Sequence, residues 1–320
     1  MRRLVYLLIF GFMIASFGSA QDYPTRPIDV TVPWGAGGGT DTATRALAAV
    51  LQDKLGQPVN VVNRTGGGGV VGHLHTAQAA ADGYSLGAIT VEITMMHWTG
   101  LTDLTHEDYT PLGLMINNPS AVSVRADAPW ETLDELLDYI RDNPGELAAS
   151  GTARGGIWDL ARIGLLQGAD LPADALPWVP SDGAAPAFSE LLAGGVEVVT
   201  AALAEAATLK AAGEVRVLGV MAEERLEAFP DVPTLKEQGI DWSIGGWAGI
   251  AGPAGLPDDV VEILDGAIGE AMADPEFLET MSRAGANVQY LTAAEFAEFI
   301  AEQDGVNREL LEIAGVIEEE

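Results

Sequence analysis

The sequence predicts an α/β protein built as two lobes, and three observations favour that class. Short apolar, strand-like segments alternate with segments of helical periodicity, which is typical of layered folds with mostly parallel sheets. The chain has 320 residues, more than a single hydrophobic core usually serves. Three glycine-rich loops each follow a predicted strand and precede a predicted helix. We therefore expect two α/β lobes with these loops between strand and helix.

The first twenty residues have the composition of a secretory signal peptide. Arg2 and Arg3 form a positive start, an apolar run continues to Phe17, and small residues follow up to Ala20. The apolar run is short for a helix that spans a bilayer. We therefore expect cleavage after Ala20 and export of the mature chain. A retained anchor is the alternative that the sequence leaves open.

Strand and helix signals alternate through the N-terminal third. The first predicted helix begins after a glycine-rich loop, with Thr40 or Asp41 as its cap, and Gly56 ends it. Its apolar residues recur at helical spacing on one face. The predicted elements in order are the strand 28–32, the loop 33–39, the helix to residue 55, the strand 59–62, the loop 63–69, the helix to about residue 80 and the strand 85–91.

The same alternation continues to the C-terminus. Thr132 and Glu135 have the spacing of a capping box, in which each side chain caps the other's backbone at the start of a helix. Pro257 begins a long helix, and an amphipathic pattern from Thr292 to Ile313 predicts the last one. The elements between are the strand 147–149, the loop 150–156, a helix from residue 157, a helix after residue 183 and the strands 196–200 and 215–220.

The charge and the residue types exclude several classes of partner and chemistry. Lysine and arginine number 16 against 47 aspartates and glutamates, and the formal net charge of −31 repels nucleic acid and anionic lipid. The sequence contains no cysteine, which excludes disulfides, thiolate chemistry and cysteine-based metal sites. We therefore expect no nucleic-acid partner. An anionic ligand is repelled at long range, so its site must use local dipoles.

The glycine-rich loops are the candidate ligand sites. Glycine lets the backbone approach a ligand closely, and the first turn of the following helix offers unpaired N–H groups and a partial positive charge. Such a site holds an anion without a cationic side chain. Arg154 is the only cation in the third loop, and it either pairs with a ligand or faces solvent. Asn63 is either an amide donor to a ligand or a turn residue before glycine.

Asp41 is the polar side chain of the first loop. No catalytic partner lies near it in sequence, so it is better explained as a residue that accepts backbone N–H bonds and shapes the loop. The glycines at 35–39 do not complete a dinucleotide fingerprint, and no Gly-Lys-Ser/Thr loop or Gly-x-Ser-x-Gly elbow occurs. His73 and His75 are two apart on a predicted helix and face different ways. The sequence therefore predicts no catalytic residue, no metal site and no cofactor.

Several motifs, spread over the whole mature chain, resemble one known family. Their combination is similar to the Bug family, the periplasmic solute-binding components of tripartite tricarboxylate transporters. The motifs are Tyr23-Pro24-Thr25-Arg26-Pro27-Ile28, Val32-Pro33-Trp34, Gly38-Gly39-Thr40-Asp41, Asp82-Gly83-Tyr84, Asp182-Gly183-Ala184-Ala185-Pro186, Phe229-Pro230-Asp231-Val232-Pro233-Thr234-Leu235 and Pro253-Ala254-Gly255-Leu256-Pro257.

The resemblance implies a type II periplasmic binding protein, a Venus flytrap with two crossover strands, at about 122–125 and 247–251. Lobe 1 would contain residues 21–121 and 247–320, and lobe 2 residues 122–246, with the ligand cleft between them. The implied function is capture of a small tri- or dicarboxylate by a monomer that serves the membrane subunits of the transporter. Presentation of the ligand to a sensor kinase is the alternative.

The resemblance also implies where the ligand binds. It places a ligand carboxylate on backbone groups of residues 36–41 and adds contacts from 152–156 and Asp182 of lobe 2. Glu92, after the strand that ends near Thr90, is a further candidate from lobe 1. The candidate ligand-binding residues are Trp34, Ala36, Gly38, Gly39, Thr40, Asp41, Asn63, Thr90, Glu92, Thr152, Arg154, Gly155, Gly156 and Asp182.

This chain departs from the family in the third loop and the helix after it. Relatives often carry glycine and histidine where this chain has Arg154 and Asp159. A new cation and a lost imidazole change the lobe 2 face of the cleft, so the identity of the carboxylate stays open. Glu92 disfavours a ligand rich in negative charge unless it binds an amine, a hydroxyl or a water.

Overall fold

A computed structural model describes residues 23–318, which form two β-sheets with helices packed against their faces. The predicted signal peptide lies outside the described residues. The strands in chain order are β1 (Ile28–Val32), β2 (Val59–Asn63), β3 (Ser85–Thr90), β4 (Tyr109–Arg125), β5 (Ala149–Ser150), β6 (Trp178–Val179), β7 (Val198–Ala202), β8 (Val215–Val220), β9 (Gly245–Pro253) and β10 (Val288–Thr292). The helices are α1 (Gly39–Leu55), α2 (Val70–Ala77), α3 (Leu133–Asp142), α4 (Ile157–Gly168), α5 (Ala184–Ala193), α6 (Leu203–Ala211), α7 (Asp258–Met272), α8 (Pro275–Arg283) and α9 (Ala293–Ile313).

The strands form two sheets that share one long strand. Sheet A has the order β2-β1-β3-β9-β4-β10, and sheet B has the order β8-β4-β7-β5-β6. β4 pairs with β9 and β10 along its first part and with β7 and β8 along its last part. Each sheet carries its own helices. The two lobes predicted from the sequence are therefore present, lobe 1 on sheet A and lobe 2 on sheet B.

β4 passes from sheet A to sheet B between adjacent residues. Pro119 still pairs with Gly245 of β9, whereas Ser120 pairs with Ala202 of β7. The crossover predicted at 122–125 therefore already lies inside sheet B. Because one continuous strand belongs to both lobes, the sequence shows no change of pattern at the residue where β4 passes from one sheet to the other.

The chain returns to sheet A just before β9. The N–H of Ile244 donates to the carbonyl oxygen of Met221, which follows β8, at 3.0 Å. Gly245 then begins β9, and the crossover predicted at 247–251 falls within that strand. The predicted lobe boundaries stay predictions, and each change of sheet lies two residues before the boundary expected from the sequence.

Among the named strands, parallel pairing occurs at one end of each sheet. β1 pairs in parallel with β2 and β3, and β5 pairs in parallel with β6 and β7. β4 and β9 run antiparallel to each of their partners among the described strands. The sheets are therefore mixed rather than mostly parallel, because the chain crosses between the lobes in one direction along β4 and returns in the other along β9.

Most helix ends follow their sequence signals, and the start of α1 does not. The capping box predicted for α3 is present, and Gly56 ends α1 in the left-handed conformation, with φ 65°. The N-cap of α1 is Gly38, without a side-chain cap, and not Thr40 or Asp41. The carboxylate of Asp41 instead turns back to the loop before the helix. α2 follows a short 3₁₀ turn and ends three residues before the predicted position.

Two hydrophobic cores stabilise the fold. One lies between sheet A and the helices α1, α7 and α8, and it buries Leu47, Leu264 and Phe277. The other fills lobe 2 and reaches β3 and α9. Burying one such large apolar side chain contributes roughly 1.5–3 kcal/mol. Within residues 23–318, no helix has both the length and the apolar content that a membrane crossing requires.

Candidate functional site

One cavity lies between the two sheets, where loops of both lobes meet. Its empty volume is about 530 Å³, including the open solvent at its mouth. Lobe 1, lobe 2 and both crossing strands contribute to its walls. The residues that carry its chemistry are Trp34, Gly38, Gly39, Thr40, Thr90 and Glu92 from lobe 1, Asn118 and Trp247 from β4 and β9, and Thr152, Ile157, Trp158, Gly183, Ala184 and Glu205 from lobe 2.

α1 and α4 begin with the same local structure, on opposite sides of this cavity. Before α1, Gly37 has a left-handed φ of 83°, and its N–H donates to Asp41 Oδ2 at 2.9 Å. Before α4, Gly155 has a φ of 70°, and its N–H donates to Asp159 Oδ2 at 2.9 Å. Both N-caps are glycines without a side-chain cap. The pattern Gly-Gly-x-x-Asp therefore builds two bare helix N-termini at the cavity.

Each of these aspartates is held by an arginine about one turn along its helix. Arg45 Nε donates to both carboxylate oxygens of Asp41 at 3.0 Å, and Asn63 Nδ2 donates to Asp41 Oδ1 at 2.8 Å. Arg162 Nη2 lies 2.6 Å from Asp159 Oδ1. Burial raises the pKa of Asp41, but hydrogen bonds from Arg45, a loop N–H and Asn63 outweigh it and lower that pKa overall. Asp41 thus shapes the loop, which is the role that the sequence favoured.

A carboxylate from the opposite lobe sits at each helix N-terminus. Glu205, at the start of α6 in lobe 2, accepts a hydrogen bond from Gly39 N–H of α1 at 2.8 Å. Glu92, after β3 in lobe 1, accepts from the backbone N–H of Ile157 at the start of α4. The two contacts are reciprocal, and both use the positive end of a helix dipole. Two positions suited to a ligand carboxylate therefore hold carboxylates of the chain itself.

A row of hydrogen bonds positions Glu92. Thr90 Oγ1 donates to Glu92 Oε2 at 2.5 Å and accepts from Trp34 Nε1 at 3.2 Å. The backbone N–H of Thr90 donates to His73 Nε2 at 3.2 Å. His73 Nδ1 lies 2.9 Å from the carbonyl oxygen of Gly69, so the proton of the neutral ring is on Nδ1. Thr90 therefore links the buried histidine to the acid of the cavity.

Both acids of the cavity have raised pKa values. Burial raises the pKa of Glu92, against the hydrogen bonds that it accepts from Thr90 and from backbone N–H groups. Burial also raises the pKa of Glu205, and the charge of Glu92 raises it further. Of the residues that the structure describes, no lysine, arginine or histidine lines this cavity. Nor do the histidines and acids in that part of the chain form a cluster suited to a metal ion.

The structure brings half of the candidate ligand-binding residues to the cavity. Asp182 lies beside the cavity and connects the two lobes, because its backbone carbonyl oxygen accepts a hydrogen bond from Gly35 N–H at 3.0 Å. Ligand contact stays a prediction for every candidate. Those that line the cavity are Trp34, Gly38, Gly39, Thr40, Thr90, Glu92 and Thr152. Those in or beside its loops, outside the lining, are Ala36, Asp41, Asn63, Gly155, Gly156 and Asp182.

Neither Arg154 nor the second glycine-rich loop, residues 63–69, lines the cavity. The side chain of Arg154 is exposed, and its Nη2 donates to the carbonyl oxygen of Trp178 at 3.2 Å, so it does not supply a cation to the lining. The loop 63–69 packs behind Trp34 and reaches lobe 2, since a Cβ on Gly69 would meet Trp34 at 3.0 Å and a Cβ on Gly68 would meet Ala153 at 2.8 Å. The start of α5, at Gly183 and Ala184, is the third helix N-terminus at the cavity instead.

Sequence reasoning missed Glu205 and Asn118. Glu205 has a local signal, because its Oε2 accepts from Ala202 N–H at 3.3 Å as the third residue of a helix start. That signal predicts a helix-capping role for Glu205 and does not predict that it lines a cavity. Its contact with Gly39 joins positions 166 apart in the chain, which no local pattern shows. Asn118 lies inside the long strand β4, where no local pattern marks it.

Acid is expected to destabilise the fold through His73. This residue is buried, and burial lowers its pKa from 6.5 to about 4. Below pH about 6.5 the unfolded chain binds a proton there that the folded chain binds only near pH about 4. The free energy of unfolding should therefore fall by up to about 3 kcal/mol as the pH falls across that window. Denaturant unfolding at pH about 7 and about 5 should show about 2 kcal/mol of this loss, because pH 5 lies above the folded-state pKa.

His75 offers the matched control for this measurement. It lies on the same helix as His73 but is exposed. His73→Gln should reduce the difference in stability between the two pH values, whereas His75→Gln should leave most of it. Equal pH dependence in both variants would show that the buried histidine is not the cause.

Comparison with known proteins identifies the receptor type. Residues 43–316 match the profile of the tripartite tricarboxylate transporter family receptor. The chain belongs to this family. Protein BugT of Bordetella pertussis is 32% identical to it over 327 residues, which cover 98% of this chain and 96% of BugT. The resemblance to the Bug family is therefore confirmed.

Two solved structures share this fold. The periplasmic binding protein BugD is 28% identical, with a TM-score of 0.86, and the match covers 92% of this chain and 99% of BugD. R. palustris Rpa4515 with adipate is 25% identical, with a TM-score of 0.86, over 92% of this chain and 99% of that one. These matches confirm the two-lobe periplasmic-binding-protein fold, and members of the family are periplasmic solute-binding receptors.

Proposed function

We propose that this chain is a periplasmic receptor that captures a small carboxylate between its lobes and delivers it to the membrane subunits of a tripartite tricarboxylate transporter. The observation that carries the proposal is the convergence of three helix N-termini, those of α1, α4 and α5, on one cavity. Those of α1 and α4 hold Glu205 and Glu92, and the start of α5, which has no side-chain cap, offers backbone N–H groups to a solute carboxylate without a cationic side chain. The family match and the adipate in Rpa4515 support a carboxylate as the ligand.

The start of α5 and two nearby side chains offer donors for a solute carboxylate. Gly183 is the N-cap of α5 and provides no side-chain cap. Thr152 is buried, and its Oγ1 has no hydrogen-bond partner among the described residues. Asn118 Oδ1 accepts from Asn287 N–H at 2.7 Å, which leaves the amide Nδ2 as a donor. A solute carboxylate bound here would satisfy groups from lobe 2 and from a crossing strand together.

The position of the cavity suits capture by closure of the lobes. Two hydrogen bonds join the lobes at the cavity, from Gly35 N–H of lobe 1 to the carbonyl oxygen of Asp182 of lobe 2 and from Gly39 N–H to Glu205 Oε1. A solute that contacts both lobes stabilises the closed state by its differential contacts. Capture and release then need no chemical change of the solute, and the receptor is not an enzyme under this proposal.

Isothermal titration with malate, succinate, adipate, citrate, γ-aminobutyrate and ε-aminocaproate tests carboxylate capture. We expect saturable binding of at least one of them. Thr152→Val removes a hydroxyl at nearly constant shape and is expected to weaken that binding about tenfold. Thr280→Val, on the exposed surface of α8, is the control and should leave affinity unchanged. Absence of binding by every carboxylate, at low salt and with a folded protein, would refute the proposal.

Delivery is tested by co-purification. The mature chain should co-purify with the transporter's membrane subunits only when the bound carboxylate is present. Co-purification with a sensor kinase instead would favour the alternative that the sequence left open. Sedimentation of the chain with and without solute tests the monomeric state, which remains a prediction.

A further inference from the structure

The cavity has an acidic interior. Glu92 and Glu205 line it from opposite lobes, and within residues 23–318 it has no lysine, arginine or histidine in its lining. Glu205 already accepts from Gly39 N–H at 2.8 Å, and Glu92 already accepts from Ile157 N–H. A simple dicarboxylate that enters this cavity therefore meets two acids of its own charge at the helix N-termini suited to it.

The two acids favour a positive charge between them. Burial raises the pKa of both, and the charge of Glu92 adds to the rise at Glu205, so Glu205 lies within the field of Glu92. A cation near both carboxylates would stabilise their charged forms. Arg154, the cation expected nearby, donates to the carbonyl oxygen of Trp178 and does not line this cavity. A cationic group of the solute would supply this charge.

Three tryptophans line the same cavity, namely Trp34, Trp158 and Trp247. Trp34 is fixed by its hydrogen bond to Thr90, and Trp247 packs edge-on against Phe296. The face of a tryptophan ring attracts an ammonium group, and the attraction strengthens when water is excluded. Carboxylates and aromatic rings together suit a cationic group better than an anionic one.

Thr152 has an unused hydrogen-bonding group in this cavity. The residue is 4% exposed, and its Oγ1 has no hydrogen-bond partner in the described part of the chain. It lines the cavity a few residues before α4. A buried hydroxyl without a partner is unfavourable, so a polar group of a solute is stabilised on contact with it. This observation points to a bound polar solute independently of the two acids.

We propose that the solute is a small aminocarboxylate whose protonated nitrogen lies between Glu92 and Glu205 and whose carboxylate lies near Thr152 and the start of α5. This assignment rests on the proposed function, because it names the class of carboxylate that the receptor captures. The net charge of −31 agrees with it, since a zwitterion is not repelled as a whole and its ammonium end is attracted.

Two series of solutes, each of constant chain length, test the assignment by isothermal titration. The first is adipate, ε-aminocaproate and hexamethylenediamine, and the second is succinate, γ-aminobutyrate and putrescine. Each series runs from two carboxylates, through one carboxylate and one ammonium, to two ammonium groups. In at least one series we expect the aminocarboxylate to bind at least about tenfold more tightly than both of its counterparts.

Charge-removing variants locate the ammonium group. Glu92→Gln and Glu205→Gln keep the side-chain shape and an oxygen acceptor, and each is expected to weaken aminocarboxylate binding about 10- to 100-fold. The dicarboxylate of the same series should bind the variants as well as before or better. Glu262→Gln removes the same charge from the exposed face of α7 and should change neither affinity. Thermal unfolding confirms that each variant is folded.

The outcomes separate this assignment from the proposed function. Tighter binding of the dicarboxylate than of the aminocarboxylate in both series overturns the assignment and leaves carboxylate capture intact. Binding of the diamines alone, or of no solute in either series, contradicts both. Loss of aminocarboxylate affinity in Glu262→Gln equal to that in Glu205→Gln would reduce the effect to net charge and would also overturn the assignment.

Discussion

Replacing Asp159 with alanine is expected to lower the free energy of unfolding by about 3–5 kcal/mol. Asp159 and Arg162 form a buried ion pair, with 2.6 Å between Oδ1 and Nη2 and side chains only 2% and 5% exposed. Without the carboxylate, the guanidinium stays buried with its charge uncompensated, and Gly155 N–H loses its acceptor. Denaturant unfolding measures the effect as a lower midpoint at an unchanged dependence on denaturant.

The pair Asp138–Arg141 in α3 is the matched control. It has the same i,i+3 spacing and an N–O distance of 2.5 Å, but its side chains are 73% and 48% exposed. Because water screens such a pair, Asp138→Ala should change stability by about 1 kcal/mol at most. Replacing Asp159 and Arg162 together with Leu and Met should recover part of the loss, since no unpaired charge remains. Equal losses at the two sites would show that burial is not the cause.

Local signals predicted the parts of the fold that a few consecutive residues determine. The glycine-rich loop before α1, the end of α1 at Gly56 and the start of the last helix at Thr292 were predicted and are present. A positive φ or a cap depends on neighbours within one turn, so the sequence shows it directly. The predicted cap of α1 was wrong, because the Asp41 carboxylate accepts a hydrogen bond from Gly37 N–H in the loop and does not cap the start of the helix.

Features that depend on distant pairing were not predictable in this way. The crossing of β4 between the sheets follows from partners on β7, β8 and β9, not from any change along β4 itself. α6 was also missed, because its alanine-rich sequence has no strong apolar period. Glu205 belongs to that helix, and its contact with Gly39 is between lobes. The acid that changes the chemistry of the cavity was therefore outside the reach of local patterns.

The third loop shows how a structural repeat corrects the interpretation of a residue. In the sequence, Arg154 is the only cation of the third loop and was a candidate partner for the ligand, and Asp159 departs from the family pattern. The structure shows that Asp159 corresponds to Asp41, since each accepts the N–H of a left-handed glycine four residues before it. The repeat of Gly-Gly-x-x-Asp is visible in the sequence, but its meaning depends on both copies bordering one cavity.

Filling the cavity at Gly38 is expected to abolish solute binding, with Gly38→Phe losing at least about 100-fold in affinity. Gly38 lines the cavity as the N-cap of α1, with φ −75° and ψ 174°, an extended conformation that any residue adopts. A Cβ there would meet Glu205 Oε1 at 3.4 Å, an ordinary contact. A methyl group is therefore tolerated, whereas a phenyl ring must extend into the space that the solute needs.

The graded pair Gly38→Ala and Gly38→Phe separates cavity filling from loss of glycine itself. We expect Gly38→Ala to reduce affinity less than about threefold, because its backbone angles suit alanine and its methyl group fits. Gly266→Phe is the matched control, since Gly266 lies on the exposed face of α7 and a Cβ there meets nothing within 4 Å. All three variants should unfold near the temperature of the unaltered chain. If Gly38→Phe is folded and still binds solute with full affinity, the solute binds elsewhere, and the assignment of this cavity is wrong.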